Sequence, residues 1–165
     1  RSWPVLAAVA FTVLATVVVA QIAIRDKETL IAHGRPIYVP LAPVDPRSLM
    51  QGDYMRLNFQ LPAERITYEE LAWGQRPHAV GTLDERGVVQ WLRTGTASEP
   101  LAPGEQRFEL TPRGGRWTLV TDAWYFREGD GQRWEQARYG EFRVEPDGRA
   151  LLVGMADAQL RPIVP

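Results

Sequence analysis

The chain has 165 residues, a net charge of −1 and no cysteine. The near-neutral balance gives no electrostatic footing for nucleic acid. The missing thiols exclude disulfides, thiol catalysis and thiolate metal centres. Among 19 basic residues only Lys27 is a lysine, a skew of the kind set by genome composition rather than by function.

The first element is apolar. Residues Trp3 to Ile24 read WPVLAAVAFTVLATVVVAQIAI, with no charge and only Thr12, Thr16 and Gln21 polar. As a helix this run spans about 33 Å, against a hydrocarbon core of roughly 30 Å. Pro4 falls in the first turn, where its missing N–H costs nothing, and Trp3 suits the headgroup boundary. Arg25, Asp26, Lys27 and Glu28 end the run sharply. A cleavable signal peptide is the main competitor, with small residues at Val18-Val19-Ala20. We read residues 1–24 as a retained single-pass anchor. Arg1 in place of a starting Met leads us to expect further residues ahead of it.

Ala8, Thr12, Thr16 and Ala20 recur every four residues and form a stripe of small side chains. Such a stripe lets helix backbones approach closely in lipid, although an Ala/Val-rich helix also produces one by chance. For orientation we expect the soluble part in the periplasm, anchored to the inner (cytoplasmic) membrane. Arg25 and Lys27 on the exit side argue against that orientation under the positive-inside rule.

Residues 25–35 read as a helical stalk ending near Gly34 and Pro36. Residues 36–165 then read as one soluble, mostly β domain. Strands are predicted at Pro36–Leu41, Tyr54–Leu61, His78–Leu83, Val88–Leu92, Arg107–Leu110, Trp117–Phe126, Ala137–Val144 and Ala150–Val153. In Tyr54–Leu61 the apolar set Met55, Leu57, Phe59 and Leu61 alternates with polar residues, as in a half-buried strand. Asp84-Glu85-Arg86-Gly87 and Pro146-Asp147-Gly148 carry hairpin chemistry, and Arg113-Gly114-Gly115 is another turn. Tyr68–Leu71 suggests a short helix, Glu128–Gly131 a flexible loop, and Leu160–Pro165 an extended tail. The fold class is mainly β: one N-terminal transmembrane helix, then a small β-barrel or β-sandwich-like domain.

Chemical motifs are few. Ser48 precedes Gly52-Asp53 as in a Ser/Lys peptidase, but the only lysine lies at the membrane exit, and a serine nucleophile needs a base within reach. His33 and His78 stand without a G-x-S-x-G or a metal-ligand spacing. Glu128, Asp130 and Glu135 lack the calcium-loop pattern. No cofactor and no metal is expected.

The segment Pro43 to Phe59, PVDPRSLMQGDYMRLNF, resembles the GDYXXLXY family of bacterial membrane-anchored proteins. Gly52, Asp53, Tyr54 and Leu57 match the motif, and Phe59 stands where the name has Tyr. Asp45-Pro46-Arg47 and Ala137–Val144 (ARYGEFRV) are also similar to the family. The resemblance implies an anchored protein encoded beside multi-pass membrane proteins, and it brings no catalytic residues to carry over.

Two readings of the motif stand side by side. In one it is scaffold, with Gly and Pro shaping turns and Asp53 capping backbone N–H groups or pairing with Arg47 or Arg56. In the other, Arg47, Asp53, Tyr54 and Arg56 form a polar recognition surface. For the whole chain we expect a non-enzymatic accessory or scaffold subunit. Its partners would be the bilayer and an integral membrane protein or complex. The rivals are an envelope-modifying hydrolase, which needs Asp53, His78 or Glu141 to converge, and a lipid- or glycan-binding module with a Trp-lined pocket.

Overall fold

The computed structural model describes residues 3–42, 50–51, 54–62 and 75–164. The backbone divides into two compact units, Arg1–Gly34 and Arg35–Pro165.

The first unit is one helix, α1 (Trp3–His33). It runs on through Arg25–Glu28 because Arg, Lys and Glu are good helix formers. It stops at Gly34, whose N–H donates to the Leu30 carbonyl at 2.8 Å. None of its residues is buried. By length and composition it can cross a membrane.

The second unit is mainly β. In chain order its elements are β1 (Ile37–Pro40), β2 (Met50–Gln51), β3 (Tyr54–Arg56), β4 (His78–Leu83), β5 (Val89–Gly95) and β6 (Glu105–Glu109). They continue with β7 (Thr111–Arg113), β8 (Arg116–Thr118), β9 (Ala123–Tyr125), the helical turn α2 (Gly131–Trp134), β10 (Tyr139–Val144), β11 (Ala150–Ala156) and β12 (Pro162–Ile163). The strands form small sheets ordered β1-β10-β11-β12, β2-β3-β9, β5-β4-β6 and β7-β8. Single bridges at Tyr38–Val88 and Leu41–Phe59 tie β1 to its neighbours. The described strands do not close a barrel; the small sheets pack around a shared core.

Period-two burial builds that core. β1 turns Ile37 and Val39 inward, and the β3 region turns Met55, Leu57 and Phe59 inward. They meet Phe108, Leu110, Leu119, Phe142 and Met155. Ring pairs fill the centre: Phe59 against Phe142 at 5.5 Å between centroids, and Trp91 against Phe108 at 5.1 Å.

The Asp/Gly turns behave as their residues dictate. Asp84 Oδ1 accepts from the N–H groups of Arg86 and Val88 at 2.9 and 2.8 Å, and Gly87 takes φ 81°. The turn joins β4 to β5 as a hairpin. Asp147 accepts from Arg149 N–H at 3.0 Å between β10 and β11. Hydrogen bonds to the carboxylate hold Asp84 and Asp147 below the usual 3.8.

Several expected elements differ. Trp117–Phe126 is not one strand: it breaks into β8 and β9 around Val120 at φ 54°. There the Thr118 hydroxyl donates to the Thr121 carbonyl, and the Thr121 hydroxyl accepts from Ala123 N–H. These local bonds compete with the ladder. Tyr54–Leu61 keeps its alternation, but only Tyr54–Arg56 is strand. Leu57 N–H still donates beside β9, to Asp122 O at 2.8 Å, and the backbone then changes partners, Asn58 O accepting from Ala42 N–H at 2.6 Å. The Glu128–Gly131 loop leads into α2 at Gly131. The tail is not simply extended: Leu160 adopts φ 61°, and Pro162–Ile163 returns against β11. The predicted Tyr68–Leu71 helix lies outside the described residues.

Candidate functional site

On α1, Ala8, Thr12, Thr16 and Ala20 are all exposed. The Thr12 hydroxyl donates to the Ala8 carbonyl and the Thr16 hydroxyl to the Thr12 carbonyl, each at 2.9 Å. Both hydroxyl protons are therefore satisfied within the helix, and the stripe presents small side chains without an unmet donor.

The motif residues divide by depth. Leu57 and Phe59 are 2% and 6% exposed and belong to the core. Gly140, in the ARYGEFRV segment, sits against them: a Cβ there would lie 2.8 Å from Phe142 Cε2 and 3.2 Å from Phe59 Cε1. The two stretches that resemble the family thus interlock, one supplying the ring and the other the gap. Tyr54 and Arg56 turn outward. Tyr54 pairs with Tyr125 across β3 and β9, with ring centroids 5.6 Å apart, and Arg56 is exposed. Arg47, Ser48, Gly52 and Asp53 lie outside the described residues.

The two described residues of the hydrolase set, His78 and Glu141, have different charged neighbours. Glu141 pairs with Arg143 at 2.7 Å on β10 and helps burial raise the Tyr38 hydroxyl above its usual value. His78 faces other groups, namely Glu109, Arg107 and Asp147. Asp130, just ahead of α2, pairs with Arg133 at 3.9 Å.

His78 lines a cleft of about 620 Å³ that no sequence pattern announces. It begins β4, the central strand of its sheet, and lies in register with Gly95 of β5 and Glu109 of β6. It is 3% exposed, and its Nδ1 has no hydrogen-bond partner. Burial lowers its pKa below 6.5, more than Glu109 raises it.

One wall of the cleft carries Gln75 and Arg76, and Arg76 Nη1 meets Glu109 Oε1 at 2.6 Å. The other carries Thr96 and Ser98, whose hydroxyls are 3.3 Å apart. Arg107 holds that second wall: its guanidinium donates to the carbonyls of Ala97 and Glu99. Glu105 Oε2 holds the loop's far end, accepting from Ala102 N–H at 2.9 Å. Three separate stretches of chain contribute, so spacing along the sequence gives no signal. The lining has no tryptophan, so polar groups rather than ring stacking would hold a ligand there.

Fold and site together define a mainly β domain preceded by an apolar helix of membrane-spanning length. The chain belongs to the GDYXXLXY family: the family model, described as GDYXXLXY protein, matches residues 16–155. Comparison with curated proteins and with solved structures gives no match.

Proposed function

We propose that the chain is a non-enzymatic accessory subunit of a membrane protein or multi-subunit membrane complex. α1 lies in the inner membrane as a single pass, and the β domain works on the periplasmic face. The carrying observation is α1 itself, a 31-residue helix with no buried residue. So much unpartnered apolar surface is costly in water and at home in lipid. The Ala8–Ala20 stripe supports a protein neighbour within the bilayer. Its hydroxyls are spent on the helix's own carbonyls, so close van der Waals packing carries the association.

Alkaline carbonate extraction tests the anchor: the full chain stays with the membrane pellet. Protease treatment of spheroplasts tests the orientation, since a periplasmic domain is digested without lysis. The double variant Thr12→Leu with Thr16→Leu tests the stripe. It keeps the chain in the membrane and reduces recovery of the partner after mild-detergent purification. Recovery equal to wild type removes the stripe from the interface.

A further inference from the structure

The described lining of the cleft at His78 includes no residue of α1 or of the family motif, and its chemistry narrows what it can hold. Its volume, about 620 Å³, lies within the roughly 300–1,000 Å³ of pockets that bury small ligands. The walls are already built. Arg107 fixes the Thr96–Ser98 wall through the Ala97 and Glu99 carbonyls, so little loop ordering opposes binding.

The formal charges at the lining cancel, one guanidinium at Arg76 against one carboxylate at Glu109. An anion drawn to Arg76 meets Glu109 beside it, and a cation drawn to Glu109 meets Arg76. Burial keeps the His78 imidazole neutral at neutral pH. An uncharged ligand avoids both penalties.

Polar groups of both senses lie side by side. Arg76 keeps N–H donors beyond the one spent on Glu109, and Glu109 keeps a second oxygen. Thr96 and Ser98 form a hydroxyl pair that donates and accepts. Neighbouring hydroxyls on a sugar ring likewise donate and accept from adjacent atoms. The Arg76–Glu109 pair can therefore be bridged by a vicinal diol without being broken. The N–H and C=O of one trans peptide group instead point to opposite sides.

We propose that this cleft binds an uncharged saccharide of a few residues, with Arg76 and Glu109 bracketing adjacent hydroxyls and Ser98 holding the opposite edge. The binding requires only the folded domain and does not depend on the accessory role.

The test uses the full chain in phosphatidylcholine nanodiscs, free of sugar-based detergent. His33→Gln leaves His78 as the single imidazole, whose ring ¹⁵N signals report on the cleft. The probes are maltotriose, cellotriose and chitotriose, with trigalacturonate and capped trialanine as charged and peptide controls. At least one neutral trisaccharide shifts the His78 signals with a dissociation constant of about 1 mM or below. Glu109→Gln and Arg76→Met each weaken it about tenfold, the loss expected for a hydrogen bond to a charged group, while the circular dichroism stays unchanged. Failure of every neutral probe to move the His78 signals overturns the proposal. So does tighter binding of either control, or affinity indifferent to both substitutions.

Discussion

Phe59 meets the edge of Phe142 at an interplanar angle of 66°, and Gly140, two residues before Phe142, has no side chain to hold them apart. Adding one methyl there forces the rings or Leu152 to move, since its Cβ would fall 2.8 Å from Phe142 Cε2. Gly140→Ala should cost about 1–3 kcal/mol by overpacking. Urea unfolding of the full chain, followed by tryptophan fluorescence, measures it; an unchanged midpoint would mean that the two motif stretches do not depend on each other's shape.

The depth of the motif residues separates scaffold from surface. Phe59→Ala leaves a hole in the core and should cost about 3–5 kcal/mol, and Leu57→Ala about 2–5 kcal/mol. Arg56→Ala, on the exposed side of β3, should stay within about 0.5 kcal/mol. If Arg56→Ala proved as damaging as Phe59→Ala, the inward and outward faces would be wrongly assigned.

His78 ties stability to pH. The unfolded chain takes up a proton near the usual 6.5, while the folded chain resists it because burial lowers the pKa. Above that value the group is neutral in both states and contributes nothing. As pH falls through 6.5 the unfolded state binds more protons, so stability falls. Asp84, Asp147 and Asp157, held below 3.8 by hydrogen bonds, act only at lower pH. Denaturant midpoints should therefore drop between about pH 7.5 and about pH 5.5, and His78→Leu should flatten that drop. A slope that survives the substitution points to another group.

Arg107 acts as a clasp on the loop between β5 and β6. Arg107→Lys keeps the charge but loses the planar fork that serves the Ala97 and Glu99 carbonyls together. Amide hydrogen exchange at Glu99 and Ala102 should accelerate about tenfold, with β10 unaffected, if the clasp contributes about 1.4 kcal/mol to local closure. Protection equal to wild type would place the loop's order elsewhere, in Glu105 and its own turns.

Much of the fold was legible because its signals are local. Asp84–Gly87 and Pro146–Gly148 name their hairpins through a carboxylate that accepts backbone N–H groups and a glycine that allows positive φ. Asp157 repeats the device, accepting from Gln159 and Arg161 N–H, but without a glycine to mark it the tail read as extended. Trp117–Phe126 misled because its apolar residues hide Val120 in a left-handed conformation, beside the local hydrogen bonds of Thr118 and Thr121. The motif's inward face was visible in the alternation of Met55, Leu57 and Phe59. The cleft was not visible. His78 and Glu109 meet through strand register, loops bring Gln75 and Ser98 beside them, and none carries a motif of its own.

The order β1-β10-β11-β12 ends this sheet on a strand of two residues, one of them Pro162. A proline offers no N–H to a newcomer, and so short a rim gives another chain little backbone to zip onto. That edge is thereby guarded against the edge-to-edge growth that leads to fibrils, a safeguard that counts most where many copies crowd one surface.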